Sequence, residues 1–134
     1  LKANNNISST VVLHRSRSGL NEIQSFLEGN GYDTQILLDS GEIDFERESI
    51  KICTLSSVKG LEFDNVFIID LNDDILPYPP GFNGEDDELH ISTERRLLYT
   101  SMTRARERLY LLSSGEPSRY LTEIDENLLV KADN

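Results

Sequence analysis

Short apolar runs that alternate with segments of helical periodicity constrain the fold of this chain more than any other feature. Two of these runs, at residues 11–13 and 66–69, are typical of buried strands, and the alternating Ile50, Ile52 and Thr54 begin another strand. After the first run, Leu20, Ile23, Phe26 and Leu27 recur at helical spacing before a Gly-Asn-Gly stop signal at 29–31. This alternation predicts an α/β fold with a mainly parallel sheet flanked by helices. In such sheets we expect ligands beyond the carboxyl ends of the strands.

The same rules predict the remaining elements. Residues 32–38 and 108–112 resemble strands, and residues 118–124 resemble a short last helix. A helix is expected over residues 94–105, capped by Ser92 or Thr93. Residues 76–84 hold three prolines and two glycines, which forbid regular structure, and we interpret the acidic run at 85–88 as a solvated loop.

The strong negative charge limits which partners the surface can take. The 134 residues include 13 Lys and Arg against 24 Asp and Glu, a formal net charge of −11. This balance excludes a surface that is a nucleic-acid patch throughout, but it leaves room for a local basic site. The length predicts one domain spanning residues 1–134.

Several other classes of protein are excluded by composition. A single cysteine, Cys53, gives no disulfide framework and no cysteine metal cluster, and we interpret it as a small buried hydrophobe. No apolar run approaches the roughly 20 residues of a membrane span, and no leader is recognisable, so we expect a cytoplasmic protein. Because the only methionine is Met102 and the chain opens at Leu1, we also expect a piece cut from a longer protein.

Residues 54–63 form the first segment with recognisable chemistry, Thr-Leu-Ser-Ser-Val-Lys-Gly-Leu-Glu-Phe. Its hydroxyls and turn amides can donate to phosphate oxygens, Lys59 can neutralise charge, and Glu62 can accept from a sugar hydroxyl. The alternative is a plain strand and turn with a solvated lysine, and spacing alone favours that alternative.

Residues 94–108 form the second such segment and hold five of the 13 cationic residues. One interpretation is a solvated helix face that pairs with nearby acids. The other gives Arg104 a function, because an arginine at the end of a helix can reach across a cleft to a transferred phosphoryl group. Spacing alone leaves the two interpretations open.

Together the two segments closely resemble motifs V and VI of the UvrD/Rep-like superfamily 1 DNA helicases. Motif V of that family runs T-x-H-x-x-K-G-L-E followed by an aromatic residue, and residues 54–63 differ from it only at Ser56. Motif VI runs E-x-R-R-L-x-Y-V-x-x-T-R-A, and residues 93–105 follow it closely. Residues 11–16 look like motif IVa, and residues 117–121 are similar to the segment that closes the second RecA-like domain.

The resemblance implies a RecA-like second motor domain, called 2A, of the P-loop NTPase type but lacking the Walker A half. In that family ATP binds between two RecA-like domains while single-stranded DNA crosses both. Arg104 resembles the arginine that contacts the γ-phosphate, and Gly60 and Glu62 match the motif V positions near the nucleotide. Arg95 and Arg96 are expected to tie motif VI to neighbouring segments. The expected DNA-side residues are Arg15, Ser16, Thr54, Ser56 and Lys59.

The departures from the family shape the functional hypothesis. No G-x-x-x-x-G-K motif and no acidic Mg²⁺ motif occurs, so most of the nucleotide and its Mg²⁺ would be held by an N-terminal RecA-like domain. No 2B domain is inserted before residue 50, and Ser56 replaces a histidine.

We therefore expect the C-terminal motor domain of an ATP-dependent DNA helicase that associates with the nucleoid. Alone, the chain is expected to be monomeric, inactive towards ATP and weakly bound to DNA. The alternatives are a single-strand translocase without strong unwinding activity, and a non-catalytic interaction module on the same fold.

Overall fold

The computed structural model describes residues 7–37, 46–58, 60–73, 75–76 and 85–124. The five strands are β1 (Thr10–His14), β2 (Thr34–Ile36), β3 (Ile50–Thr54), β4 (Phe63–Ile68) and β5 (Ala105–Leu111). Helix α1 covers Ser18–Gly29 and helix α2 covers Glu85–Met102, with short 3₁₀ turns at Ile7–Ser9 and Arg119–Glu123.

The five strands form one sheet in the order β2-β3-β1-β4-β5, and every pairing between them is parallel. The predicted α/β fold with a parallel sheet is therefore confirmed. His14 pairs with Thr54 where β1 and β3 end, so both lie at the carboxyl edge of the sheet. Phe63 pairs with Ala105 where β4 and β5 begin, so both lie at the amino edge.

Each face of the sheet carries its own apolar core, as the alternation of side chains along a strand requires. On the first face, Val12 and Ile52 pack with Leu20 and Ile23 of α1. On the second face, residues such as Leu13 pack in the cluster that contains Leu98 of α2. Cys53 belongs to this second cluster, and burial raises the pKa of its thiol to about 12, which agrees with the predicted hydrophobic role.

Helix α2 departs from the prediction at both ends. It begins at Glu85, so the acidic run interpreted as a loop lies in the helix. Negative charge near the N-terminus of a helix interacts favourably with the helix dipole. Thr93 is not a cap, because its hydroxyl donates to the carbonyl of Leu89 within the helix. The helix ends at Met102, and Ala105 already belongs to β5.

Other predicted elements are shorter or lie outside the described residues. Strand β2 covers three residues, and the last helix is the 3₁₀ turn Arg119–Glu123, whose N-cap Ser118 accepts from the main-chain N–H of Tyr120. Most of the irregular segment at 76–84 lies outside the described residues. Within the described part of the chain, no helix has the length and apolar character needed to cross a bilayer.

Candidate functional site

The segment that links β3 to β4 crosses the sheet from one edge to the other. Because both strands run parallel to β1, residue 54 lies at the carboxyl edge and residue 63 at the amino edge. Two turns make the crossing, closed by main-chain bonds from Ser57 to Thr54 and from Leu61 to Val58, each 3.1 Å. The segment therefore divides its polar residues between two edges of the sheet.

The amino edge receives Gly60, Glu62 and Arg104. The main-chain N–H of Phe63 donates to the carbonyl of Arg104 over 2.9 Å, which places the residues just before β4 beside the end of motif VI. Gly60 has a φ of +77°, a left-handed conformation that favours glycine, and the side chain of Glu62 is exposed. This edge brings together all three residues predicted to lie near the nucleotide.

The guanidinium of Arg104 makes few hydrogen bonds within the described part of the chain. One of its terminal nitrogens donates to the hydroxyl of Thr103 over 3.1 Å. Its Nε is buried and has no hydrogen-bond partner among the described residues. Leaving a buried charged donor unpaired costs free energy, so this position fits an anion supplied from outside the described chain. The helix ends at Met102, so Thr103 and Arg104 lie in the turn between α2 and β5.

Of the residues predicted to contact DNA, those described at the carboxyl edge include both buried and exposed side chains. Thr54 is buried, and its hydroxyl donates to the hydroxyl of Ser57 over 2.9 Å, so it orders the turn. Ser56 is exposed, with its hydroxyl 3.3 Å from that of Thr54. Lys59 lies outside the described residues.

Arg15 at the same edge is held by an ion pair that the sequence did not suggest. Its Nε and a terminal nitrogen donate to the two carboxylate oxygens of Glu94 over 2.8 and 2.9 Å. Glu94 is 4% exposed, so this bidentate pair is largely removed from water. The pair joins the turn after β1 to helix α2, across 79 residues of chain.

His14 is a second polar residue that sequence reasoning missed. Its Nε2 lies 2.9 Å from a carboxylate oxygen of Asp70, and its Nδ1 accepts from the main-chain N–H of Ser16 over 3.0 Å. Because that N–H can only donate, Nε2 carries the proton and donates it to Asp70. Asp70 has a φ of +54°, which is unusual for a non-glycine residue.

These contacts fix the turn that carries Ser16. The ring of His14 is packed so closely on Gly19 that a Cβ there would come within 2.5 Å of it. The hydroxyl of Ser16 also lies 3.0 Å from that of Ser18. A signal was available in the sequence, since a histidine ends an apolar strand and an acid ends its neighbour, but their pairing depends on the sheet order.

Motif VI is anchored by one of its two adjacent arginines. Arg95 makes a bidentate pair with Glu123 and lies over the ring of Tyr120, 5.4 Å from its centre. The guanidinium holds the pKa of the Glu123 carboxyl below its usual value. The predicted tie to a neighbouring segment is confirmed for Arg95. For Arg96 it stays a prediction, because Arg96 has no partner among the described residues.

Comparison with known proteins identifies the family of this chain. The family described as "UvrD-like helicase C-terminal domain" matches residues 17–116. The ATP-dependent DNA helicase PcrA of Staphylococcus aureus is 36% identical over 108 residues, which is 72% of this chain and 14% of the relative. The protein of the same name from Staphylococcus epidermidis is 35% identical over the same coverage. The chain thus spans about one seventh of the length of these curated relatives.

A solved structure supports the fold alone. It is described as the C-terminal domain of a possible DNA helicase from Lactobacillus plantarum WCFS1, and it matches with a TM-score of 0.66 at 23% identity. The match covers 90% of this chain and 65% of that one.

Proposed function

Because the chain belongs to the UvrD-like helicase C-terminal domain family, we propose that it is the second motor domain of an ATP-dependent DNA helicase. Its partner would be an N-terminal RecA-like domain of the same protein, and its substrate single-stranded DNA in the cytoplasm. The observation that carries the proposal is the division of the motif residues between two edges of one sheet, with an incompletely bonded Arg104 at the amino edge.

The amino edge would serve the nucleotide. Arg104 would meet the γ-phosphate, where a guanidinium steadies the charge that develops during phosphoryl transfer. Glu62 is exposed and has no partner among the described residues, so it would accept from a sugar hydroxyl, and the left-handed turn at Gly60 keeps a side chain out of that space. The N-terminal domain would hold most of the ATP and its Mg²⁺, because this chain has no phosphate-binding loop.

The carboxyl edge would serve the DNA. Ser56 and Ser16 offer hydroxyls near the ends of β3 and β1, and hydroxyls of this kind commonly donate to phosphate oxygens. Arg15 and Thr54 would act mainly by holding these turns, since the Arg15 guanidinium is paired with Glu94 and Thr54 is buried. With a net charge of −11, the chain alone should bind DNA weakly and lose that binding as salt rises.

Hydrolysis of ATP by the intact protein tests this proposal. We expect single-stranded DNA to stimulate turnover, and Arg104→Ala to lower kcat by about a thousandfold or more. Arg119→Ala is the matched control, because this exposed arginine pairs with Asp73 away from the amino edge. Absence of hydrolysis in the parent, or equal kcat in the parent and Arg104→Ala, would reject the proposal.

A translocase without strong unwinding activity is the second candidate. The observation that favours it is the short link between β2 and β3, which runs from Ile36 to Ile50 and has no room for an inserted domain. Strand-separation assays on the intact protein distinguish the two activities. DNA-stimulated hydrolysis without release of a strand would favour the translocase.

A further inference from the structure

Asp70 lies two residues beyond the end of β4 and has an unusual backbone conformation. Its φ is +54°, and among the residues that the structure describes it is the one non-glycine residue with a positive φ. Residues held in this region of conformational space cluster at functional sites. The strained backbone therefore points to a function for the carboxylate that it carries.

The carboxylate of Asp70 joins the segments that follow two other strands. Its Oδ2 lies 2.9 Å from Nε2 of His14, the last residue of β1. Its Oδ1 accepts from the hydroxyl of Ser114, beyond the end of β5, over 3.3 Å. Ser114 is also held by Asn72, whose side-chain oxygen accepts from its main-chain N–H over 2.9 Å. The carboxylate thus links the ends of β1, β4 and β5, which are neighbours in the sheet.

His14 extends this link to Ser16. Because the Nε2 proton is donated to Asp70, Nδ1 is left with one lone pair, which accepts from the main-chain N–H of Ser16 over 3.0 Å. The hydroxyl of Ser16 lies farther from the same nitrogen, at 3.3 Å, so its proton remains for another acceptor. The Ser18 hydroxyl, 3.0 Å from that of Ser16, can donate to its oxygen. Asp70 therefore orders the Ser16 turn from a distance, through the imidazole.

We infer that Asp70 is a positioning residue for single-stranded DNA, and that it acts through His14 to hold the hydroxyl of Ser16 where it donates to a phosphate oxygen. This inference rests on the proposed function, in which DNA lies at the carboxyl edge. Hydroxyl groups commonly make such phosphate contacts. The charge of Asp70 by itself repels a phosphate, so positioning and repulsion predict effects of opposite sign on DNA affinity when the carboxylate is removed.

DNA titrations of ATP hydrolysis by the intact protein test the inference. Asp70→Gly removes the carboxylate and relieves the left-handed backbone, so this variant should fold. Its DNA concentration at half-maximal stimulation should rise about fivefold at unchanged kcat, as expected for the loss of one hydrogen bond. Asp70→Asn tolerates the same backbone and keeps an oxygen that accepts from His14, so that concentration should stay within about twofold of the parent.

Asp73→Ala is the matched control. Asp73 lies three residues farther along the same segment, and its carboxylate pairs with Arg119 instead of His14. We expect the parent's half-maximal DNA concentration in this variant. Denaturation of each variant gives its free energy of unfolding, which a purely structural role would lower without raising the half-maximal DNA concentration.

A double-mutant cycle with His14→Ala tests whether the effect passes through the imidazole. The half-maximal DNA concentration of the double variant Asp70→Gly/His14→Ala should lie within about twofold of that of His14→Ala alone, since residues that act as one unit are not additive.

The outcomes separate this inference from the proposed function. A half-maximal DNA concentration that is unchanged or lower in Asp70→Gly, or that rises equally in Asp70→Gly and Asp70→Asn, would overturn the positioning role alone. Additive effects of Asp70→Gly and His14→Ala would overturn it as well. Hydrolysis that DNA does not stimulate in the parent would reject the proposed function and the inference together.

Discussion

The two edges of the sheet differ in how far the chain completes its own polar contacts. At the carboxyl edge, His14 is bonded to Asp70, and Arg15 is bonded to Glu94. At the amino edge, Glu62 has no partner among the described residues, and the Nε of Arg104 is buried without one. At the carboxyl edge these polar groups are bonded within the chain, whereas at the amino edge they are left for a second surface to bind. The difference supports the proposal that a second domain completes the amino edge.

The largest effect on stability is expected at the carboxyl edge, from Glu94→Ala. The substitution leaves the guanidinium of Arg15 without its bidentate partner in a largely buried place, which should cost about 3 kcal/mol. Chemical denaturation of the chain measures the loss. Glu62→Ala is the control at the amino edge and should change the free energy of unfolding by less than about 0.5 kcal/mol. Equal losses in the two variants would remove the contrast between the edges.

Gly19→Ala should cost about 2 kcal/mol, the range of overpacking in a tight site. The new Cβ would meet three atoms of the His14 ring at 2.5–2.6 Å, so the ring must move and its bond to Asp70 must lengthen. Gly29→Ala is the matched control, because nothing lies within 4 Å of its added Cβ. In the helix this control should stabilise by about 0.5 kcal/mol or more. Denaturation midpoints that move together would show that His14 is not held as described.

Ser56→His tests whether DNA binds at the carboxyl edge, because it introduces the residue usual in the family. Its imidazole would be charged below about pH 6.5 and could neutralise one phosphate. At low pH, the dependence of oligonucleotide affinity on salt should steepen by about 0.7 in a plot of log K against log salt. Fluorescence anisotropy measures this slope at pH 5.5–6 and at pH 8. A slope that is the same in the variant and the parent at both pH values would place DNA elsewhere.

The smallest effect is expected from pH. The guanidinium of Arg119 lowers the pKa of the Asp73 carboxyl below its ordinary value of 3.8. A lowered folded-state pKa stabilises the fold above pH 3.8, and this stabilisation is lost as the pH falls further. Since both partners are partly exposed, the loss should stay below about 1 kcal/mol. In Arg119→Ala, the stability measured between pH 5 and pH 3 should fall less steeply than in the parent; equal slopes would contradict the pairing.

The sequence predicted the elements that depend on residues close to one another in the chain. The apolar runs placed strands β1, β3 and β4, and helical spacing placed α1, because these signals depend on neighbours within a few residues. The end of α2 was predicted three residues too late, at residue 105 instead of Met102. The start of α2 was not predicted, since an acidic run reads equally well as a solvated loop and as the first turn of a helix.

The arrangement of the polar residues at the two edges could not be predicted from the sequence. His14 pairs with Asp70 across 56 positions, and Arg15 pairs with Glu94 across 79. Such pairs depend on which strands become neighbours, and short-range spacing carries no information about that order. The division of residues 54–62 between two edges has the same origin, because it follows from the direction in which β4 enters the sheet.

The most direct test of the two-edge account is a DNA titration of ATP hydrolysis by the intact protein. It yields kcat and the DNA concentration at half-maximal stimulation for the parent, Arg104→Ala and Ser56→Ala. We predict that Arg104→Ala lowers kcat and leaves the half-maximal DNA concentration within about twofold of the parent. Ser56→Ala should raise that concentration and leave kcat at saturating DNA unchanged. The account is contradicted if Arg104→Ala weakens DNA stimulation at unchanged kcat, or if Ser56→Ala lowers kcat at saturating DNA.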